Sequence, residues 1–234
     1  MTTIPCRVAF VHYGKAGGIY TQVAMAKTLR PRGYTVRNSW AEKRGRDWTP
    51  EELIYFSDMQ GPQLVHNHHI NWPENVVDLY LSKGWFVFTF VRHPAEIISS
   101  LYFWGQKLSR QGRNPFVTGG IDPLEYSLDD WVFAAVFDLG LRNLWTLPPF
   151  INRLSFSDEF SAMNLALFLK QYFSSTLGDL GLTTRHKNAS GNPGFNHLVA
   201  GGQISIDAIN ELYRDNDFNE YSKHIELWHP SLKN

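Results

Sequence analysis

The chain has 234 residues, 43% hydrophobic and 15% aromatic, which is enough apolar material for one substantial domain with a buried core and too much for a disordered chain. Lys plus Arg equals Asp plus Glu at 22 each, so the basic excess of a protein built to grip duplex nucleic acid is missing. The single cysteine, Cys6, excludes an intramolecular disulfide, no apolar run approaches the roughly 18 residues of a membrane span, and the first residues lack a leader's charged and apolar regions; together these predict a soluble, cytoplasmic protein.

Residues 7–13 form a short apolar run that predicts a strand and ends in Gly14, Lys15, Ala16, Gly17 and Gly18. Residues 19–30, with Val23, Ala24, Ala26 and Leu29, predict the helix that follows. A second strand is expected over 33–38, then a polar surface loop over 39–48 that carries Lys43, Arg44 and Arg46. Residues 63–66 predict a short strand leading into His66, Asn67, His68 and His69, and Pro73 opens a helix over 74–83. WFVFTFV, residues 85–91, is the strongest strand signal, apolar throughout except Thr89, as suits a central strand buried on both faces. A helix over 94–104 follows, and the Gly-, Pro-, Arg- and Asn-rich stretch 105–127 predicts a long loop of the kind that often forms a functional lid. Helices over 130–139 and 160–177, a polar loop over 185–195, and helices over 206–214 and 219–228 complete the chain. This alternation predicts an α/β fold, a P-loop-like parallel sheet flanked by helices on both faces, as one domain over 1–234.

Two segments have the chemistry of anion binding. Glycines let backbone N–H groups approach a phosphate closely, and a helix N-terminus adds aligned donors and partial positive charge. Gly14, Lys15, Gly17 and Gly18 after a strand meet that specification, although a structural strand–helix turn would look the same. The loop is not a nucleotide triphosphatase P-loop, because Ala9 stands where the first glycine belongs and Ala16 replaces the hydroxyl that would bind Mg²⁺. In the second segment Arg92 follows the strongest strand, where ligands of open α/β sheets gather, and offers an always-charged forked donor. Ser100 lies on the helix after it, sharing a face with Glu96.

The KxGG loop (Lys15, Gly17, Gly18) and the R-x-P-x₅-S-x-Y segment (Arg92, Pro94, Ser100, Tyr102) together resemble the two nucleotide-binding signatures of the sulfotransferases that use 3′-phosphoadenosine 5′-phosphosulfate (PAPS). The resemblance implies that Gly14, Lys15, Ala16, Gly17, Gly18 and Ile19 hold the 5′-phosphosulfate and that Arg92 and Ser100 hold the 3′-phosphate. Ile19 replaces the family's usual Thr or Ser, with Thr21 nearby as a substitute hydroxyl, and His93 replaces a frequent Asp. The tail, LGDLGLTTRHKNAS with INELYRDNDFNEY, is similar to the closing loop and helix of carbohydrate sulfotransferases, which implies cofactor contacts at Arg185, Lys187 and Ser190.

Three readings of the histidine run stand open from the residues alone: solvated loop imidazoles, a metal site with His66 and His68 on one strand face, or a general base. VHNHHINW resembles the His-x-His segment of the heparan sulfate and uronyl 2-O-sulfotransferases. That resemblance implies His68 as the catalytic base with His66 as its partner, His69 fitting a register shifted by one. Lys15 is then expected to stabilise the leaving phosphate, with PAPS as donor, adenosine 3′,5′-bisphosphate as product and no metal required. The expected partner is a small-molecule or glycan acceptor, with no nucleic acid and no membrane span. A degenerate P-loop kinase and a non-catalytic nucleotide- or glycan-binding module are the alternatives. Arg37, Lys43, Arg44, Arg46, Arg110 and Arg113 are candidates to line a groove for an anionic acceptor.

Overall fold

Val8, Ala9, Phe10 and Val11 are apolar at every position, and a strand of that kind is stable only where both of its faces and both of its edges are covered. The computed structural model, which describes residues 4–43, 46–113, 121–134, 148–182, 195–205 and 207–208, puts them at the centre of a five-stranded, all-parallel sheet. The strands are β1 (Arg7–His12), β2 (Thr35–Asn38), β3 (Gln63–His68), β4 (Phe86–Val91) and β5 (Phe156–Glu159), in the order β2-β3-β1-β4-β5. The helices are α1 (Gly18–Leu29), α2 (Ser39–Glu42), α3 (Pro50–Ser57), α4 (Glu74–Ser82), α5 (Pro94–Ser109), α6 (Leu128–Trp131), α7 (Ala162–Phe173) and α8 (Phe195–Ala200). Residues 1–91 with 148–186 form one compact unit that holds the whole sheet, and residues 92–147 with 187–234 form a second.

Strand alternation divides the first unit's core in two. Val8, Phe10, Leu64, Phe88 and Phe90 point to one face, where Ala24, Met25 and Leu29 of α1 and Leu165, Phe168, Leu169 and Phe173 of α7 cover them. Ala9, Val11, Val65 and Val87 point to the other, under Leu53 and Phe56 of α3 and Val76, Val77 and Tyr80 of α4. The connections leaving β1 and β3 therefore diverge to opposite faces of the sheet. Such a divergence opens a crevice at the carboxyl ends of the two strands, the usual ligand position in open α/β sheets.

The expected α/β architecture is present, with several boundaries moved. β3 runs through His68 instead of stopping at His66, because β1 continues to pair with it up to His12↔His68. The helix expected over 94–104 extends to Ser109, and the loop expected over 39–48 opens with α2. The helix expected from residue 130 starts at Leu128, where the Ser127 side chain accepts from Asp130 N. α3 and β5 were not expected. α3 begins at a full capping box, Thr49 with Glu52, followed by Pro50. The helices expected over 206–214 and 219–228 and the loop over 185–195 lie largely outside the described residues.

In the second unit Tyr102 donates from its hydroxyl to Tyr126 O at 2.8 Å, and Gln106 donates to Pro123 O at 3.3 Å, tying the segment before α6 to α5. Among the described residues no helix is long and apolar enough to cross a membrane.

Candidate functional site

The turn between β1 and α1 is shaped by backbone conformation and by aromatic rings packed against its glycines. Lys15 and Gly17 both take the left-handed conformation, at φ 59° and 69°, and Ala16 N donates to Tyr13 O at 3.3 Å. A Cβ on Gly17 would strike the Phe160 ring, and one on Gly18 would strike the His12 ring; around Gly14 there is open space. Gly17 and Gly18 are thus required by packing, and Gly14 is not. Among the described residues no side chain caps α1, whose first hydrogen bond to this turn is Thr21 N to Gly17 O at 3.0 Å. Helix geometry leaves the preceding N–H groups without intrahelical acceptors, beside the Lys15 cation. Ala16 is buried and the Ile19 side chain projects outward. Thr21, considered a substitute hydroxyl from sequence, is fully buried on the inward side of α1, so it belongs to the core.

At the end of the neighbouring strand three imidazoles gather. His66 and His68 share a face of β3, opposite Phe10 and His12 of β1. His12 Nδ1 and His66 Nε2 are 3.0 Å apart, and the His12 ring stacks on that of His68 with centroids separated by 4.4 Å. His66 is 2% exposed, and its Nδ1 is buried with no hydrogen bond among the described residues. Burial first, then the neighbouring His68, pushes the His66 pKa down to about 3, with Asp47 opposing. Burial, followed by His66, His68, His69 and Lys15, holds His12 well below the ordinary histidine range. Both rings are neutral at pH 7. His69 turns away after the strand and stacks on Tyr13 with centroids 4.3 Å apart.

His68 has a different environment. Its Nδ1 lies 2.7 and 2.9 Å from the two carboxylate oxygens of Asp47. The same carboxylate accepts from Asn71 Nδ2 at 2.9 Å and from Ser39 Oγ at 3.3 Å. Burial alone would raise the Asp47 carboxyl, but the bonds from His68, Ser39 and Asn71 outweigh it and hold the pKa below its ordinary value. Asn67, fully buried on the opposite face of β3, grips residues 46–49, the strap that carries Asp47 into α3: its side chain accepts from Trp48 N at 2.9 Å and donates to Trp48 O at 3.0 Å.

Comparison with protein-family models finds no match, and comparison with curated proteins finds none.

Within the first unit, the structure brings Lys15, the glycine turn, His66 and His68 to the carboxyl ends of adjacent strands. Arg92 and Ser100 belong to the second unit. There Arg92 pairs with Glu96 at 2.8 Å one turn into α5, and Ser100 is buried on the same helix. His93 caps α5 by accepting from Ala95 N at 3.2 Å through Nδ1. Burial pushes its pKa down to about 4, so a neutral imidazole does the capping work usually done by a carboxylate. The Tyr102 hydroxyl is engaged with Tyr126 O. Arg185, Lys187 and Ser190 lie outside the described residues.

Chemically, the first unit offers a helix N-terminus with a cation for an anionic group, and beside it an imidazole joined to a carboxylate. Among the described residues no group of three or more His, Cys, Asp or Glu side chains is arranged to hold a metal ion. Sequence reading missed His12, Asp47, Asn67 and Asn71. His12 carried a signal, since it continues the parity of Val8 and Phe10; Asp47 lies 21 positions from His68 and carried none.

Proposed function

We propose that the chain is a sulfotransferase that moves a sulfuryl group from PAPS to an acceptor hydroxyl. The observation that carries this reading is the convergence of the Lys15–Gly18 turn with His68 at the ends of β1 and β3. A phosphosulfate needs N–H donors at close range and a positive charge; the uncapped start of α1 and Lys15 supply both.

PAPS supplies the activated sulfuryl group. His68 takes the proton of the acceptor hydroxyl, whose oxygen forms a bond to sulfur as the bond from sulfur to the 5′-phosphate oxygen breaks, leaving adenosine 3′,5′-bisphosphate. Lys15 neutralises the charge that gathers on that phosphate, and the N–H groups of the Gly14–Ile19 turn hold the sulfuryl oxygens. His66, neutral and packed between Phe10 and His12, sets the floor under His68. The resemblance alone implies Arg92 and Ser100 as contacts of the 3′-phosphate, with Lys187 and Ser190 as further ones. Positioning and electrostatics do most of this work, as in phosphoryl transfer.

An uncharged hydroxyl on a small molecule or a sugar suits the site better than a polyanion. Arg37 pairs with Glu42 at 3.4 Å and Lys43 pairs with Glu52, so two of the candidate groove cations are already committed. The one cysteine, exposed Cys6, fits a reducing compartment, which favours the cytoplasm.

Calorimetric titration with adenosine 3′,5′-bisphosphate, without metal and with ADP as control, tests the reading. Binding that requires the 3′-phosphate and weakens at least tenfold in Arg92→Ala is expected. Equal binding of ADP, or binding only with Mg²⁺, would move a kinase ahead of it.

A further inference from the structure

We infer that Asp47 is a positioning residue that fixes the protonation geometry of His68, so that the Nε2 lone pair is the one presented to an acceptor proton. This rests on the sulfotransferase reading for its kinetic consequence, and on geometry alone for its structural one.

A carboxylate held below its ordinary pKa is ionised at neutral pH and can only accept hydrogen bonds. His68 Nδ1, 2.7 and 2.9 Å from the two oxygens, must therefore carry the proton between them. In the neutral ring that leaves the lone pair on Nε2, and once Nε2 is protonated the carboxylate balances the new charge. Free neutral imidazole favours the opposite tautomer, so the Asp47 contact selects the reactive form.

The carboxylate is itself built into place. Asn71 and Ser39 donate to it, which leaves it little freedom to rotate away. The Asn67 carboxamide clamps both backbone groups of Trp48, the residue after Asp47, and Trp72 Nε1 donates to Asn67 O at 3.1 Å. Asn67 and His68 are consecutive in β3 and point to opposite faces, so a single strand end anchors the strap with one residue and receives its carboxylate with the next. Among the described residues, His66 and His12 pair with each other, and His69 stacks on Tyr13. The Asp47 contact at Nδ1 of His68 is what favours His68 as the base in the proposed reaction.

The test compares the wild-type chain with Asp47→Asn, which keeps size and shape but removes the charge. Imidazole ¹⁵N chemical shifts report the tautomer directly, and the neutral wild-type His68 is expected to show a protonated Nδ1 and an unprotonated Nε2. In Asp47→Asn that signature moves toward the other tautomer, and kcat for PAPS-dependent transfer falls about 10²–10⁴-fold while the affinity for adenosine 3′,5′-bisphosphate changes less than about threefold. A wild-type His68 with its proton on Nε2, or an Asp47→Asn chain with unchanged tautomer, overturns the inference. So does unchanged kcat. If the wild-type chain fails to turn over PAPS, the functional reading falls and the ¹⁵N comparison still decides the role of Asp47. Asn71→Ala, which loosens the same carboxylate from outside, provides a second variant should Asp47→Asn fold poorly; a smaller displacement in the same direction is expected, and none would count against the inference.

Discussion

His12 Nδ1 and His66 Nε2 lie 3.0 Å apart on adjacent strands, two buried imidazoles held together by one shared proton. That bond needs one nitrogen protonated and the other bare, and burial keeps both rings neutral. Unfolded histidine titrates near 6.5, whereas folded His66 does so at about 3. The unfolded chain therefore binds protons first as the pH falls. His66 contributes its full stability above pH 6.5 and loses it progressively from there down to about 3. Between pH 6.5 and 5 that loss is about 2 kcal/mol. His12 and His93 act in the same direction. Urea midpoints measured from pH 7.5 to 5 should drop steeply below 6.5, and His66→Gln should flatten the curve. A parallel curve in that variant would show that the pair does not stay neutral.

The glycines of the β1–α1 turn separate into two kinds, and substitution should reveal the division. Gly17→Ala places a Cβ in the Phe160 ring at a left-handed φ, and Gly18→Ala places one in the His12 ring. Crowding of this kind costs about 1–3 kcal/mol, equivalent to a fall of roughly 3–10 °C in melting temperature for a chain of this size. Gly14→Ala meets nothing within 4 Å and should change the melting temperature by less than about 2 °C. Differential scanning calorimetry on the three variants decides this, and equal losses would contradict the packing described for the turn.

These contrasts also show what sequence reading can reach. The β1–turn–α1 unit and β4 were legible because local features specify them: an apolar run, glycines, and a helix-forming segment. The capping box before α3 was equally local, in Thr49, Pro50 and Glu52, and an attentive reading of TPEE would have found it. β5 had no such signal. Three of its four residues are Ser157, Asp158 and Glu159, and it is a strand because β4 supplies it with partners at the sheet edge. The site divides in the same way. His66 and His68 stand out as a cluster in the chain, whereas Asp47 reaches His68 only through the β2–α3 crossover and the Asn67 clamp, which are tertiary facts.

The two sides of the proposed reaction should respond differently to mutation. His68→Ala removes the proton acceptor but no group assigned to the nucleotide. Turnover should fall about 10²–10⁴-fold while adenosine 3′,5′-bisphosphate binds as before. Lys15→Ala removes the cation beside the α1 N-terminus, so affinity and turnover should both decline. Calorimetry and steady-state kinetics on the two variants separate these outcomes, and near-normal turnover in His68→Ala would remove it from the chemistry.

Asn67 offers a test of whether the strap that carries Asp47 is held from behind. Its carboxamide satisfies Trp48 N and Trp48 O, both buried, and Trp72 closes over its carbonyl. Asn67→Leu preserves the volume but removes both partners of the Trp48 backbone. An unsatisfied buried polar group costs about 1–3 kcal/mol, so the variant should lose roughly 2–4 kcal/mol of stability in urea denaturation. The loss should extend across the strand to the face that carries His68: with Trp48 released, Asp47 drifts from His68, and kcat of the proposed transfer falls under conditions where the chain remains folded. Ser82→Ala gives the matched control, since its hydroxyl bonds Leu79 O at an exposed helix end far along the sequence from the strap. That variant should leave kcat unchanged and lose under about 1 kcal/mol. If Asn67→Leu is destabilised while kcat persists, the clamp stabilises the fold without positioning the carboxylate.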